Sequence, residues 1–476
     1  MFPRKQITYR KIKNVDLHRF CDDVTSSGLL ARSQPSSTME CLIADFENVL
    51  STILDVHAPE KTRLITVRPS APWLTQDVYE QKIERRRLER KWRSTGLTVH
   101  REMYSQKCLE VNKLIAHFKS TYYAGLIDSC GSNQRELFKV VEKLNKGDAE
   151  KQYPSSNSPE ALANQFADFF CNKIEAIRRE FLCKKKQLIN PLPDSSLPQC
   201  QVTLERFEPV TCKQLAAMVT KISRKSCSID PVPAHILKAC LETLLPVLTN
   251  IVNTSLETAT MPETMKAANL EPRIKKVSMD PQEFSSFRPI SNLKFTSKAI
   301  EKVVADQLCL HANSNNLQEI YQSAYKARHS TETALVKVQN DILRAIDDRN
   351  SVILLLIDLS AAFDTVDHDI LLSRLITCFG ITGRAHQWFR SYLNKRTLTV
   401  SVSGGVSTKR SFTSGVPQGC VLGPILFSMY MSPLGELIRR HNVDYHLYAD
   451  DAQLYAAFKS SCPAELDMTK TRLDGS

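Results

Sequence analysis

The sequence predicts an α+β protein, and its second half carries the two observations that predict the sheet. An uninterrupted apolar run, residues 352–357, follows a polar stretch and ends at Asp358, a pattern that predicts a fully buried central strand. Farther along, aromatic and aliphatic residues flank Asp450 and Asp451 on both sides. This arrangement predicts two strands that meet in a tight hairpin with the aspartates at its exposed tip.

The first half of the chain is predicted to be mainly helical. Apolar residues recur at helical intervals over three segments: 39–56, 71 to about 145, and 159 to about 181. Prolines and serines then interrupt the pattern and predict a linker over residues 184–204. We therefore expect a separate helical region over residues 71–183. Residues 1–70, which precede it, show no catalytic chemistry and form a segment of unassigned fold.

The charge of the chain favours a polyanionic partner. The chain has 476 residues, enough for two or three domains, and a formal net charge of +12. Its cations are densest on a predicted helix with one narrow apolar edge, at Arg85, Arg86, Arg87, Arg90, Lys91 and Arg93. We expect this helix to bind a nucleic-acid backbone; the alternatives are a nuclear-import signal and a charged surface helix.

Cysteine spacing and hydropathy indicate the cellular compartment of the protein. Fourteen cysteines are scattered without a Cys-x-x-Cys pair, and several lie in apolar segments, which favours reduced thiols over disulfides or zinc ligands. The amino terminus begins no apolar signal run, and no segment approaches roughly 18 consecutive apolar residues. We therefore expect an intracellular protein, nuclear or cytoplasmic, without a membrane span.

Three carboxylates on neighbouring predicted strands are the candidate chemistry. Asp358, Asp450 and Asp451 have the oxygen ligands that Mg²⁺ prefers, and two such ions could be held between them. Adjacent aspartates also repel each other unless a cation or solvent neutralises them. The alternatives are a solvated turn, because Asp-Asp also occurs at 22–23 and 347–348, and an Asp358 that only caps a following helix.

Further motifs make the pattern specific to one family. Three segments resemble, in their usual order, the palm motifs of reverse transcriptases, most closely those of non-LTR (LINE-type) retrotransposons: Asp-Leu-Ser-Ala-Ala-Phe-Asp at 358–364, Ser-Gly-Val-Pro-Gln-Gly at 414–419 and Tyr-Ala-Asp-Asp at 448–451. Earlier segments resemble the fingers motifs of the same family: 230–234, 287–291, 322–325 and 329–331. The resemblance implies a right-hand polymerase, with fingers and an amino-terminal extension over 205–345 and a ferredoxin-like palm sheet over 346–476.

The resemblance also implies the activity and its partners. It implies an RNA-directed DNA polymerase that uses two Mg²⁺ ions, an RNA template, a DNA primer and dNTPs. The family usually carries an endonuclease as well, and nothing in the first 200 or so residues matches one. The chain ends soon after Asp451, so we expect an incomplete palm and no thumb; the alternative function is a truncated, weak or inactive remnant that only binds nucleic acid.

The family assigns roles to residues of the palm motifs. Phe363 would lie under the sugar of the incoming nucleotide and exclude a 2′-hydroxyl, whereas the pattern alone equally allows a core residue. Gln418 would hold the nucleotide or the primer–template, and Gly415 and Gly419 would let the backbone approach it. The alternative for this segment is an ordinary turn.

Cations of the predicted fingers would bind the triphosphate. The resemblance assigns this role to Arg288, with Lys275 or Lys276 about a dozen residues before it. Arg328 would contact the template strand or a phosphate. The alternative for each lysine is a solvated surface cation.

Overall fold

The computed structural model describes residues 4–29, 38–66, 71–131, 133–134, 136–138, 140–141, 153–185, 200–222, 227–276, 278–359, 361–459 and 463–475. Most of the predicted linker lies outside these residues. In chain order the helices are α1 Leu17–Ser26, α2 Met39–His57, α3 Gln76–Thr95, α4 Thr98–Cys130, α5 Pro159–Lys185, α6 Cys212–Val219, α7 Ala234–Ala239, α8 Leu241–Glu257, α9 Glu263–Lys266, α10 Phe295–Ser314, α11 Thr331–Asp347, α12 Ala362–Thr365, α13 His368–Thr377, α14 Gly383–Leu393, α15 Gly423–Arg440 and α16 Pro463–Gly475. The strands are β1 Arg4–Tyr9, β2 Lys61–Thr66, β3 Ala268–Ile274, β4 Phe287–Asn292, β5 Ser351–Asp358, β6 Arg396–Val402, β7 Gly405–Val406, β8 Arg410–Phe412, β9 Asp444–Tyr448 and β10 Asp451–Phe458.

The chain divides into two compact units. The first comprises residues 1–9 and 60–153, and the second comprises residues 10–59 and 154–476. This division differs from the domain boundaries expected from the sequence, because α2 and α5 both belong to the second unit. The helices predicted over 39–56 and 159–181 are themselves confirmed as α2 and α5.

The first unit is a β-hairpin with a pair of long helices. β1 and β2 are antiparallel, with Gln6 opposite Leu64. α3 and α4 pack against each other and are joined by a turn at Gly96, which has a positive φ of 66°. Trp92 stacks on Tyr104 across the pair, with ring centroids 5.6 Å apart, so the narrow apolar edge of α3 covers its partner helix.

A single large apolar core dominates the second unit. It includes Phe46 and Leu50 of α2, Ile251 of α8, Ile300 of α10 and Trp388 of α14, all nearly or fully buried. Buried apolar residues recur at three- and four-residue spacing along α2 and α8, as on one face of an amphipathic helix, so each helix buries this face by packing against its neighbours. Residues far apart in sequence therefore share one hydrophobic core.

One sheet of the second unit has five strands. The order along it is β4-β3-β6-β7, with β8 also paired to β6; β3 is antiparallel to β4 and parallel to β6. α5 packs beside this sheet through Phe166, whose ring lies 5.1 Å from that of Phe287 at the start of β4. An ion pair of 2.7 Å between Arg178 and Asp367 fixes the later part of α5.

The second sheet has three strands in the order β5-β10-β9, and both pairings are antiparallel. The prediction that residues 352–357 form a fully buried central strand is wrong. β5 lies at the edge of this sheet, and Leu354 and Leu356 on it are 43% and 68% exposed. An apolar run predicts that a strand forms, whereas its burial depends on which elements cover it.

No helix among the described residues is long and apolar enough to cross a membrane. The cysteines of the described part of the chain are free thiols.

Candidate active site

The Tyr-Ala-Asp-Asp segment forms the predicted hairpin. β9 ends at Tyr448 and β10 begins at Asp451, and these two residues face each other across the pair. Ala449 and Asp450 make the turn between them. Ala449 has a φ of 56°, in the left-handed region that residues with a side chain rarely adopt, and it is almost fully buried.

The hairpin brings two of the predicted carboxylates face to face. In the antiparallel pairing of β10 with β5, Asp451 lies opposite Asp358, and Asp450 precedes it in the turn. The pKa of Asp451 is raised by its burial, then by the negative charges of Asp450 and Asp358. β5 therefore delivers Asp358 to the hairpin; α12 begins four residues later and is preceded by Ala361, so Asp358 is not a helix cap.

Like charges opposite each other on paired strands are destabilising unless something neutralises them. This donor set, hard oxygens with mutual repulsion, fits the chemistry of a divalent cation. Among the described residues, however, no three His, Cys, Asp or Glu side chains are arranged so that they could hold a metal ion. The fold thus brings the predicted ligands to the same end of the three-stranded sheet, but their side chains do not point at one common position.

A short segment before α11 lies alongside the hairpin. The backbone N–H of Leu447 donates to the carbonyl of Tyr321 at 2.9 Å, and that of Ser323 donates to the carbonyl of Leu447 at 3.0 Å. Between them, the side chain of Gln322 reaches the turn: its Oε1 accepts from the Ala449 N–H at 3.0 Å, and its Nε2 donates to the Ala449 carbonyl at 3.4 Å. The sequence placed Gln322 in a family motif without indicating this contact.

Aromatic side chains line the site beside the carboxylates. Phe363 stacks on Phe427 with ring centroids 4.5 Å apart, and the edge of Tyr325 meets it at 6.4 Å. The pKa of Tyr325 is raised by burial and then by the charge of Asp450, which places its hydroxyl in the field of the carboxylates. Phe363 packs against the core yet stays partly exposed, so both interpretations of this residue retain a structural basis.

The Ser-Gly-Val-Pro-Gln-Gly segment lies between β8 and α15 and contacts the chain that follows β5. Gln418 Nε2 donates to Asp364 Oδ2 at 3.3 Å. Burial raises the pKa of Asp364 to about 6, against the opposing effects of Lys173 and of the Gln418 hydrogen bond. Asp364 belongs to the first palm motif, but the sequence predicts no role for it.

The two glycines of this segment approach the protein's own backbone. A Cβ on Gly415, which has a φ of 81°, would lie 2.6 Å from the carbonyl oxygen of Asp364. A Cβ on Gly419, with a φ of 116°, would lie 2.6 Å from that of Ser291 in β4. The close approach that the glycines permit is therefore made within the fold, and it connects the segment to α12 and to β4.

A buried glutamate, which no sequence pattern indicates, binds the residues that follow this segment. Glu301 of α10 has no exposed surface, and its Oε2 accepts from the backbone N–H groups of Val421 and Leu422 at 2.7 and 3.3 Å. These groups lie at the start of α15, where a carboxylate is favoured by the free N–H donors and the helix dipole. Its burial raises its pKa, partly offset by Arg396.

The predicted phosphate cations lie on and after the β3–β4 pair. Arg288 on β4 is exposed, and the pKa of Lys275 is lowered by burial, then by the positive charges of Lys173 and Arg288. Lys173 of α5 therefore joins this group, which the sequence did not indicate. Lys276 is exposed. No ion pair is found for any of these four cations in the described part of the chain.

The residues predicted to contact nucleic acid outside the palm motifs are mostly exposed to solvent. Arg328 is exposed and has a φ of 65° before α11. In the first unit, α3 carries the predicted basic residues, of which Arg93 pairs with Glu89 at 2.7 Å and Arg87 approaches Glu84 at 3.7 Å. Exposed side chains without an ion pair in the described residues are Arg86, Arg90 and Lys91.

Comparison with known proteins supports the sequence motifs. Residues 274–476 match the family model of the reverse transcriptase (RNA-dependent DNA polymerase). Two Drosophila melanogaster proteins are similar over most of the chain: a probable RNA-directed DNA polymerase from transposon BS is 26% identical over 401 residues, and the RNA-directed DNA polymerase from mobile element jockey is 25% identical over 396 residues. These matches cover 82% and 79% of this chain but 44% and 42% of the relatives, so the chain spans less than half of their length.

Among solved structures, that of apo telomerase from Candida tropicalis, truncated from its C-terminal domain, is similar over 51% of this chain and 60% of its own. Its identity of 12% and TM-score of 0.32 are too low to assign a fold.

Residues 274–476 are thus a reverse transcriptase domain, and its described part has a mixed helix-and-sheet fold. The retrotransposon relatives identify it further as a domain of the LINE type, and the resemblance predicted from the motifs is confirmed.

Proposed function

We propose that this chain supplies the polymerase activity of an RNA-directed DNA polymerase, in which a primer 3′-hydroxyl attacks the α-phosphate of a dNTP and releases pyrophosphate. The observation that carries the proposal is the cross-strand pair of Asp358 and Asp451 with Asp450 in the adjoining turn. Such a group of carboxylates has no stabilising role in a sheet, because the like charges repel each other. It has a role in phosphoryl transfer.

Asp358, Asp450 and Asp451 would hold two Mg²⁺ ions, which supply Lewis-acid stabilisation of the phosphate oxygens when bound. Arg288, Lys275 and Lys173 would bind the triphosphate, since their mutual repulsion is relieved by an anion. Phe363 would exclude a ribonucleotide by contact with its 2′-hydroxyl.

We also propose that the RNA template and DNA primer contact the exposed cations. Gln418, oriented by Asp364, would contact the nucleotide or the primer–template. Gly415 and Gly419 would act indirectly, because they allow the backbone of this segment to pass close to Asp364 and Ser291. The basic face of α3 and Arg328 would add sequence-independent phosphate contacts, whose strength falls steeply with salt.

Primer extension tests the proposal. The chain is incubated with an RNA template, a labelled DNA primer, dNTPs and Mg²⁺, beside Asp450→Asn and the matched control Asp348→Asn, which changes an exposed aspartate at the end of α11. We expect extension by the unchanged chain and by the control, and a loss of at least about a hundredfold for Asp450→Asn. Equal extension by all three proteins would refute the proposal, and salt-dependent RNA binding without extension would favour the nucleic-acid-binding alternative.

A further inference from the structure

The turn of the Tyr-Ala-Asp-Asp hairpin depends on a backbone conformation that its sequence does not favour. Ala449 has a φ of 56°, where its Cβ crowds the backbone and where glycine would be the usual residue. Asp450 and Asp451 follow directly. The direction of both carboxylates therefore depends on whatever keeps Ala449 in the left-handed region.

Gln322 makes the side-chain contacts that can do this. Its amide accepts from the Ala449 N–H and donates to the Ala449 carbonyl, and its Oε1 also accepts from the Ala324 N–H at 2.9 Å. The side chain is 3% exposed, so water cannot readily replace these partners. Among the common side chains of this length, only an amide combines an acceptor and a donor in this geometry; ionised glutamate lacks the donor, and methionine has no donor and only a weak sulfur acceptor.

The segment that carries Gln322 is itself fixed to the hairpin. Hydrogen bonds on both sides join Tyr321 and Ser323 to Leu447, two residues before Ala449. Gln322 therefore has little freedom to follow the turn if the turn relaxes. Its amide therefore stays in one position, and the N–H and C=O groups of Ala449 keep both hydrogen bonds only in the left-handed conformation.

We propose that Gln322 is a positioning residue, which holds the turn at Ala449 in its left-handed conformation and so sets the direction of Asp450 and Asp451. It acts through the backbone and contacts neither substrate nor ion. The consequence for the polymerase reaction rests on the function proposed above, whereas the effect on the hairpin does not.

Hydrogen exchange tests the hold on the turn without reference to activity. We expect Gln322→Met to reduce the protection of the Ala449 amide by about tenfold, since two weak net hydrogen bonds are lost there. The matched control is Gln307→Met, because Gln307 clamps the backbone N–H and carbonyl of Glu208 in the same way, both at 2.8 Å, elsewhere in the fold. Unchanged protection at Ala449 in Gln322→Met would overturn the proposal.

Two measurements test the consequence: steady-state primer extension, and Mn²⁺ binding monitored by electron paramagnetic resonance. We expect Gln322→Met to lower kcat at least about tenfold with a KM for dNTP changed less than about threefold, and to weaken Mn²⁺ binding, while Gln307→Met changes neither. Adding Ala449→Gly to Gln322→Met should restore part of both, because glycine adopts a positive φ without a clamp. A reduced kcat that Ala449→Gly does not restore would show only a structural role for Gln322.

If the unchanged chain extends no primer, the proposed function fails. The exchange and Mn²⁺ measurements then still decide whether Gln322 holds the turn.

Discussion

The raised pKa of Asp364 gives a prediction about stability that follows from burial alone. Its carboxyl group has a pKa of about 6 in the folded chain, against a usual 3.8. The folded chain therefore binds this proton more tightly than the unfolded chain does. The stability it contributes is fully present below pH 3.8 and is lost as the pH rises through about 6. A difference of about 2 pH units corresponds to about 3 kcal/mol.

Replacement by a neutral isostere should remove this dependence. We expect Asp364→Asn to match the unchanged chain near pH 4 within about 1 kcal/mol, and to exceed its free energy of unfolding by about 2 to 3 kcal/mol at pH 8. The asparagine Oδ1 can still accept from Gln418, so the comparison isolates the charge. The pKa of about 6 already includes the attraction of Lys173 for the ionised carboxylate, so this attraction does not reduce the figure further.

Urea unfolding followed by tryptophan fluorescence measures this difference. The chain has three tryptophans, and Trp388 is fully buried in the core of the second unit, whereas the other two lie in the first. In a Trp73→Phe, Trp92→Phe background the signal reports the second unit alone. Asp348→Asn, an exposed change in the same unit, is the control. If Asp364→Asn and the unchanged chain lose stability equally between pH 4 and pH 8, burial of this carboxylate is not the cause of any pH dependence.

Three further predictions concern substrate contacts. Phe363→Val should raise ribonucleotide incorporation relative to dNTP incorporation at least about tenfold, measured by competitive primer extension; unchanged discrimination would assign Phe363 to the core alone. Lys173→Ala should raise the KM for dNTP about fivefold to tenfold with kcat nearly constant, through loss of a charge-assisted contact, and a change in kcat alone would contradict triphosphate binding. Replacing Arg86, Arg90 and Lys91 together by alanine should reduce the slope of log affinity against log salt by about 2 for single-stranded RNA, measured by fluorescence anisotropy, and an unchanged slope would leave α3 without a role in RNA binding.

The sequence predicted the parts of the site that depend on local pattern. The hairpin around Ala449 and Asp450 was predicted from alternating apolar and aromatic residues, and the strand that ends at Asp358 from its apolar run. The burial of that strand was predicted wrongly. The burial of a strand depends on its place in the sheet and on the elements that cover it, and six residues of one strand specify neither.

Contacts between distant segments were beyond prediction from one sequence. Gln322 and Ala449 are 127 residues apart, and Glu301 and Val421 are 120 apart, and nothing in either local pattern indicates the pairing. Lys173 belongs to a helix predicted as part of a separate region, so its place beside Lys275 required the tertiary fold. The family motifs named the residues of the site, whereas the fold shows which of them hold the others in place.

The packing of α2 against α8 has a consequence for synthesis of the chain. Phe46, Leu50 and Leu54 of α2 are buried in a core whose partner helix, α8, begins only at Leu241. A ribosome that adds about 5 to 20 residues per second needs roughly 10 to 40 s to traverse this interval. During that time α2 can pack against α1, which precedes it, but the part of its apolar face that α8 covers has no native partner. This exposed surface makes the nascent chain a candidate client for chaperones that shield hydrophobic surface.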